Sequence, residues 1–352
     1  MRILLYGEAD KRGSGAWCYA ETIREMGYVL TVFSDAAHLK KYAENKLLHI
    51  YRHFMHQLRE KDRFVVIDDL LTLAAAVRPQ VVVVLKGLLV SGNDVKALQQ
   101  MGCWVVNINH DDFFSSNPNN WSTIQRKAIA AYDYIFPTRE VNVAELEPYN
   151  PNVEFFPFAY YPEIHRIVPI PLEEGAQWNV DVVFVGTWEV HRAKLLEHLV
   201  QRVPGTYAIY GSQWNRVSKT SPLRRFIKMR ELESVEMAKA IGGAKIALGF
   251  LRKENRDDYT QRTFEIPAIG GVLLAESTLR HEKWFKSGQE AAFFNPADPE
   301  SLCKKVHELL TNDALRENIR RSGNAAVRSQ QHTYRDRLAR LFELHSAVGL
   351  RD

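Results

Sequence analysis

The stretch DVVFVGTWEVHRAKLL, residues 181–196, opens with the apolar run VVFV, turns at a glycine, and continues with leucines at helical spacing. A run of β-branched and aromatic residues suits a strand buried on both faces, and glycine lets the chain turn sharply at its end. The helical pattern beyond suits a helix packed back onto the sheet, so the stretch reads as one unit of a parallel α/β layer. It begins about halfway along the 352-residue chain, after a similar series has already run.

That earlier series places strands at residues 2–6, 29–33, 64–67, 80–85, 104–108, 134–137 and 153–157, with helical patterns between them. Residues 157–179, PFAYYPEIHRIVPIPLEEGAQWN, then hold four prolines and no period, which reads as a linker. After residues 181–186 the second series predicts strands at 207–211, 245–250 and 271–276, with helices near 190–203, 233–241 and just before 271. From Pro299 the chain reads as amphipathic helices to its end. The expectation is two similar α/β domains, 1–160 and 161–330, followed by a last helix in 331–352.

Hydrophobic residues make up 46% and charged residues 25%, the composition of a soluble globular protein. A net charge of +4 is too weak to imply nucleic-acid binding and favours an anionic small molecule or a peripheral contact with a membrane surface. The densest basic stretch, PLRRFIKMR at 222–230, is equally a solvated face. Cys18, Cys103 and Cys303 have no CxxC spacing, so neither a disulfide framework nor a zinc ribbon is indicated, and a cytoplasmic location is expected. The N-terminal apolar run is too short for a signal peptide, and VVVVLKGLLV at 81–90 is too short for a membrane span and carries Lys86. His49, His53 and His56 share a helical face, but without an acidic partner or HExxH pattern they read as a polar surface.

In an open parallel sheet, ligands meet the carboxyl ends of the strands. Four loops qualify. Gly13, Ser14 and Gly15 precede a helix, with Asp35 one strand on, but the glycines come too late for a dinucleotide fingerprint; a donor phosphate or a substrate is the better fit. His110, Asp111 and Asp112 follow the 104–108 strand and offer an imidazole and two carboxylates as a base or as sugar-hydroxyl ligands, or else a capping cluster. Gly186 and Thr187, with Arg192 one helical turn on, present amides and a hydroxyl to a phosphate, or form an ordinary βα turn; Gly211 ends a similar strand.

The fourth loop is LRKENRDDYTQRTFEIPAIGG, 251–271. Arg252, Lys253 and Arg256 follow a strand, Arg262 and Glu265 lie on the next helix, and Gly270-Gly271 turn the chain into the following strand. Cations beside one carboxylate suit a ligand carrying both phosphates and a ribose diol, since guanidinium forks pair with phosphate and a carboxylate accepts from two hydroxyls. The alternative is a simple i,i+3 ion pair between Arg262 and Glu265.

Taken together, FVGTWEVHRAKLLEHL, YTQRTFEIPAIGGVLLAE, FKSGQEAAFFNPADPESLCKKVHELL and HTYRDRLARLFE resemble the C-terminal half of GT-B glycosyltransferases, nearest the group 1, spore-maturation-type (CgeB-like) branch. The resemblance covers about half the chain. It implies a GT-B fold: α/β, two Rossmann-like domains facing each other across a cleft. It implies a metal-independent transferase moving a sugar from a nucleotide-diphosphate-sugar donor to a glycan, lipid-linked or small-molecule hydroxyl acceptor, with no cofactor. Glu265 falls where the family holds the ribose, and Arg262, with Arg252 or Lys253, where it holds the diphosphate. Asp257 stands eight residues before Glu265, where related enzymes carry a longer acid, and His110 matches a histidine set against the donor sugar. If the reaction inverts the anomeric centre, His110, Asp111 or Asp112 is the base; if it retains, His110 orients the donor. A nucleotide-sugar epimerase and a noncatalytic nucleotide-sugar-binding protein are the alternatives.

Overall fold

The structure, a computed structural model, describes residues 1–35, 56–117 and 120–348. The chain divides into two compact units, Met1–Phe158 with Lys253–Arg256 and Tyr334–Asp352, and Ala159–Arg252 with Asp257–Thr333.

The first unit runs β1 (Arg2–Tyr6), α1 (Gly15–Glu25), β2 (Val29–Phe33), α2 (His56–Val77), β3 (Val81–Leu85), α3 (Gly92–Gln100), β4 (Trp104–Asn109), α4 (Thr123–Ala128), β5 (Tyr134–Pro137) and α5 (Glu140–Leu146). Its strands form one parallel sheet in the order β2-β1-β3-β4-β5, with Tyr6 paired to Phe33 on one side and to Val84 on the other. Val81 to Val84 are wholly buried, as expected of a strand covered by helices on both faces.

The second unit contains α6 (Gly175–Trp178), β6 (Val182–Val185), α7 (Val190–Arg202), β7 (Tyr207–Tyr210), α8 (Ser234–Gly243), β8 (Ile246–Gly249), α9 (Arg262–Ile269), β9 (Leu273–Glu276), α10 (Leu279–Trp284), β10 (Ala292–Phe294), α11 (Pro299–Thr311) and α12 (Asp313–Ser329). Its parallel sheet has the order β10-β9-β8-β6-β7. Counted from the first strand of each unit, both orders are 2-1-3-4-5. Each sheet therefore reverses its direction of growth once, between β1 and β3 and between β6 and β8, and such a switch point opens a crevice at the strands' carboxyl ends. The last helix, α13 (Tyr334–Val348), belongs to the first unit, where Phe342 meets Tyr28 edge-on at 4.8 Å and His345 packs on Trp104.

Several elements differ from the sequence expectation. Residues 64–67 are helical, inside α2: Ile67, Leu70 and Ala74 are buried at helical spacing while Phe64 and Val65 are exposed, and the alanine-rich sequence downstream outweighs the short β-branched run. Residues 153–157 run beside β5, but their only ladder bridge is Val153 to Ile135. The strand β10 was not anticipated. The proline-rich 157–179 is no loose linker, because Tyr161, Ile164, His165 and Trp178 are buried within the second unit and Lys239 holds Glu174. Proline removed the periodicity without removing the burial. His49 and His53 lie outside the described residues, and of His56 only the backbone is described. Among the described residues no helix is long and apolar enough to cross a membrane.

Candidate functional site

The switch point of the second unit is framed by the turns after β6 and β8. Trp214 Nε1 and the backbone knit the β6 and β7 turns together: Trp214 donates to the Gly186 carbonyl at 2.9 Å, and Gly186 N donates to Tyr210 O. Gly211 has φ of +135°, and a Cβ there would stand 2.1 Å from the Gly186 oxygen, so only glycine allows the two turns to touch. The Gly186 amide, expected to face an anion, is thus engaged, and so is that of Gly211, which donates to Arg230 O. The Thr187 hydroxyl, also expected to be open, pairs with Ser212 Oγ at 3.0 Å. Close approach of backbone is what these glycines supply.

Arg192 is buried, and its guanidinium donates to the carbonyls of Thr187, Phe250 and Leu251. It ties the β6 turn to the end of β8 and is a structural clamp, not the phosphate cation that its position suggested. Glu189, not anticipated, receives Arg252 Nε at 3.2 Å and Arg192 at 3.4 Å. Asp257 accepts from the Arg252 amide at 3.3 Å. Lys253, in the first unit, is exposed.

Helix α9 runs antiparallel to the strand that follows it, so its first turn lies at the carboxyl end of the sheet. There Arg262 Nε donates to the carbonyl of Val185, the last residue of β6, and its guanidinium pairs with Glu265. Glu265 is buried, and its other oxygen lies 3.3 Å from His165 Nε2. His165 Nδ1 accepts from the Tyr161 amide, which places the imidazole proton on Nε2, near the carboxylate but without a hydrogen bond to it. Burial keeps His165 below its ordinary pKa, against the pull of Glu265. The Arg262–Glu265 pair is therefore real, but its carboxylate is a buried, two-sided one and no surface i,i+3 bridge.

The same chain direction corrects the assignment of Gly270 and Gly271. They end α9 at the amino end of the sheet, away from Arg262 and Glu265. Gly270 takes the left-handed conformation at φ +82° to terminate the helix, and a Cβ on Gly271 would lie 2.6 Å from Ile241. Packing requires them, not a donor. A pocket of about 540 Å³ at that end is lined by Ile167, Gly243, Gly270, Arg320 and Asn324.

In the first unit the structure brings two expected loops together. Ser14 caps α1, accepting from Trp17 N, and Gly13 turns with φ of +82°. A Cβ on Gly15 would lie 3.2 Å from the His110 ring and 3.5 Å from the Tyr334 hydroxyl. His110 Nε2 shares a hydrogen bond with the Tyr19 hydroxyl at 3.2 Å, and its ring packs on Tyr19 and Phe158. Burial pushes its pKa down to about 4, against the pull of Asp111, so the imidazole is neutral near pH 7. Asp35 accepts from Tyr6 at 2.7 Å.

Lys86 stands at the end of β3 with φ of +60°, an uncommon conformation held by its amide on Ile108 O and by Asn107 and Gln125 on its carbonyl. Its ammonium lies 2.7 Å from Asp111, which also accepts from Asn255 at 3.1 Å. Burial would raise the Asp111 carboxyl, but these partners outweigh it and hold it below the usual range. Asp112 is fully buried and receives a fork from Arg256 at 2.6 and 2.7 Å, plus Asn142 and the Phe114 amide; these too outweigh burial and keep it ionised. Arg256 also grips Glu145. Asp112 and Arg256 thus anchor residues 253–256 in the first unit and are not available as a base or a phosphate cation.

His165, Glu189, Lys86, Tyr19, Tyr334 and Asn255 escaped the sequence reading. Only Lys86 carried a usable signal, a charge closing an otherwise apolar strand.

Residues 192–343 match a family described as glycosyl transferase-like, and that stretch includes Arg252, Asp257, Arg262 and Glu265. No curated protein matches the chain. Among solved structures, sucrose-phosphate synthase from Thermosynechococcus elongatus aligns over 100% of both chains with TM-score 0.71 at 11% identity. Anabaena HepE, in complex with UDP and glucose, aligns over 99% of this chain and 100% of its own with TM-score 0.67 at 10% identity. A candidate UDP-N-acetylglucosamine 2-epimerase from Listeria monocytogenes aligns over 93% and 94% with TM-score 0.57 at 11% identity. The chain has the GT-B fold.

Proposed function

We propose that the protein is a glycosyltransferase that moves a sugar from a nucleotide-diphosphate sugar to a hydroxyl acceptor, in the spore-maturation-type branch of that class. The buried Glu265, paired with Arg262 beside the end of β6 and with His165 Nε2 3.3 Å away, carries this reading. It supplies a fixed acceptor for a ribose diol next to a guanidinium suited to phosphate. The glycosyl transferase-like match spans this pair, and HepE, of the same fold, is known with UDP and glucose.

In this reading the nucleotide binds the second unit. Arg262 offsets the charge of the leaving diphosphate without a metal, and Asp257, on the same unit, is assigned to the donor sugar. The neutral His110, with its low pKa, is a weak base at pH 7 and suits orientation of a substrate, while Asp111 is held ionised by Lys86. Retention of the anomeric configuration is taken from the resemblance to retaining enzymes; the ionised Asp111 is the base that inversion would use. The glycine turn at Gly13–Gly15, against His110, is assigned to substrate binding, with a glycan, lipid-linked or small-molecule acceptor on the first unit.

Calorimetry with UDP, GDP, dTDP and ADP, followed by sugar derivatives of the nucleotide that binds, tests the reading; failure of all four to bind would refute it. The Listeria likeness keeps a second reading in view, an epimerase. Product analysis separates them: epimerisation of the bound sugar without an acceptor supports the second, and transfer to an added acceptor the first.

A further inference from the structure

We propose that His198, Glu300 and Cys303 form a binding site for one divalent transition-metal ion, zinc in kind. The three residues come from two packed helices of the second unit: His198 from α7, and Glu300 and Cys303 one turn apart on α11. Their ligand atoms all lie within 4.8 Å of one another, and His198 Nε2 is 2.8 Å from Glu300 Oε1. Binding requires rotamer changes of His198 and Glu300, the two more exposed side chains, so that all three reach the metal distances of about 2.0–2.3 Å typical of zinc.

The donor chemistry selects the ion. A thiolate and an imidazole suit zinc or cobalt and disfavour magnesium and calcium, which take oxygen ligands. The sulfur is almost fully buried, whereas His198 and Glu300 are 24% and 47% exposed, so the ion has an entry path and room for water as a fourth ligand. Binding releases the thiol proton to solvent.

Arg202, one turn after His198, sets its Nε 2.6 Å from the same Glu300 oxygen. It is the group that a metal ion displaces, and its exposed side chain can swing outward. The competing view, a surface His–Glu–Arg cluster beside a thiol packed as a small hydrophobe, predicts no metal affinity and no effect of Arg202 on it. None of these residues is assigned to the donor.

The test is titration of the chelator-treated full chain with cobalt(II), followed by displacement with zinc. One equivalent of cobalt should give thiolate-to-metal charge-transfer absorption, which Cys303→Ser removes. His198→Gln should weaken binding by roughly tenfold or more, and Arg202→Gln should tighten it, all with unchanged circular dichroism. No charge-transfer absorption in either the natural protein or Arg202→Gln, or its persistence in Cys303→Ser, overturns the proposal.

Discussion

The Nε2 atom of His165 lies 3.3 Å from Oε1 of Glu265, with both side chains buried and Arg262 on the other carboxylate oxygen. An acceptor that is buried and already paired with Arg262 loses little freedom when a diol binds it. Glu265→Gln should therefore lower nucleotide affinity by the value of hydrogen bonds to a charged group, about 1.5–3 kcal/mol or roughly 10–100-fold, read by calorimetry. His165→Leu should leave the Tyr161 amide without its acceptor and cost about 1–3 kcal/mol of stability in urea.

Arg262 bridges the Val185 carbonyl and Glu265 with a planar fork. Arg262→Lys keeps the charge and loses the fork. The affinity ratio of nucleoside diphosphate to monophosphate should fall toward one, while a role limited to holding Glu265 would weaken both nucleotides equally.

Gly211 and Gly27 both have positive φ, but a Cβ on Gly211 would strike the Gly186 oxygen while one on Gly27 meets nothing within 4 Å. Gly27→Ala should cost only the backbone penalty, about 1–2 kcal/mol. Gly211→Ala should lower the melting temperature much further, because the β6 and β7 turns must part.

Asp112 is wholly buried against Arg256, whose side chain is 40% exposed. Arg256→Met should destabilise the protein by roughly 2–3 kcal/mol, less than for a fully buried pair because water screens the guanidinium. The folded-state pKa of Asp112 is depressed, so its contribution is present above the ordinary carboxyl range and lost as pH falls through the lower folded value. The gap between natural protein and variant should hold at pH 6–8 and narrow below about pH 4.

His281 is buried, with Nδ1 donating to the Glu276 carbonyl and Nε2 accepting from Thr263. Burial pushes it, like His110, down to about 4. Both lowered values mean stability present above the unfolded pKa near 6.5 and lost as pH falls from there to about 4. Nuclear magnetic resonance should show both rings neutral at pH 6; titration near 6.5 would contradict this.

The parallel α/β class was legible because strands buried on both faces leave continuous apolar runs, as in residues 81–84 and 182–185. The restart at residue 181 announced a second sheet, and strand-end glycines marked its turns. Residues 64–67 misled because a four-residue β-branched run has no period of its own, and the long helix around it decided the outcome.

Glu265 and Arg262 were visible as a cation and a carboxylate at helical spacing, but not their burial or the imidazole behind them, since His165 is a hundred residues away in sequence. Likewise the aspartates after β4 looked equivalent. Lys86 meets Asp111 and Arg256 meets Asp112, and only those long-range partners tell the two carboxylates apart. Local sequence determined which residues turn, which alternate and which carry charge, because those depend on neighbours along the chain. Which charges are paired, which glycines are pressed against backbone and which end of the sheet each loop occupies were decided only by tertiary structure, because they depend on groups that folding brings from far along the chain.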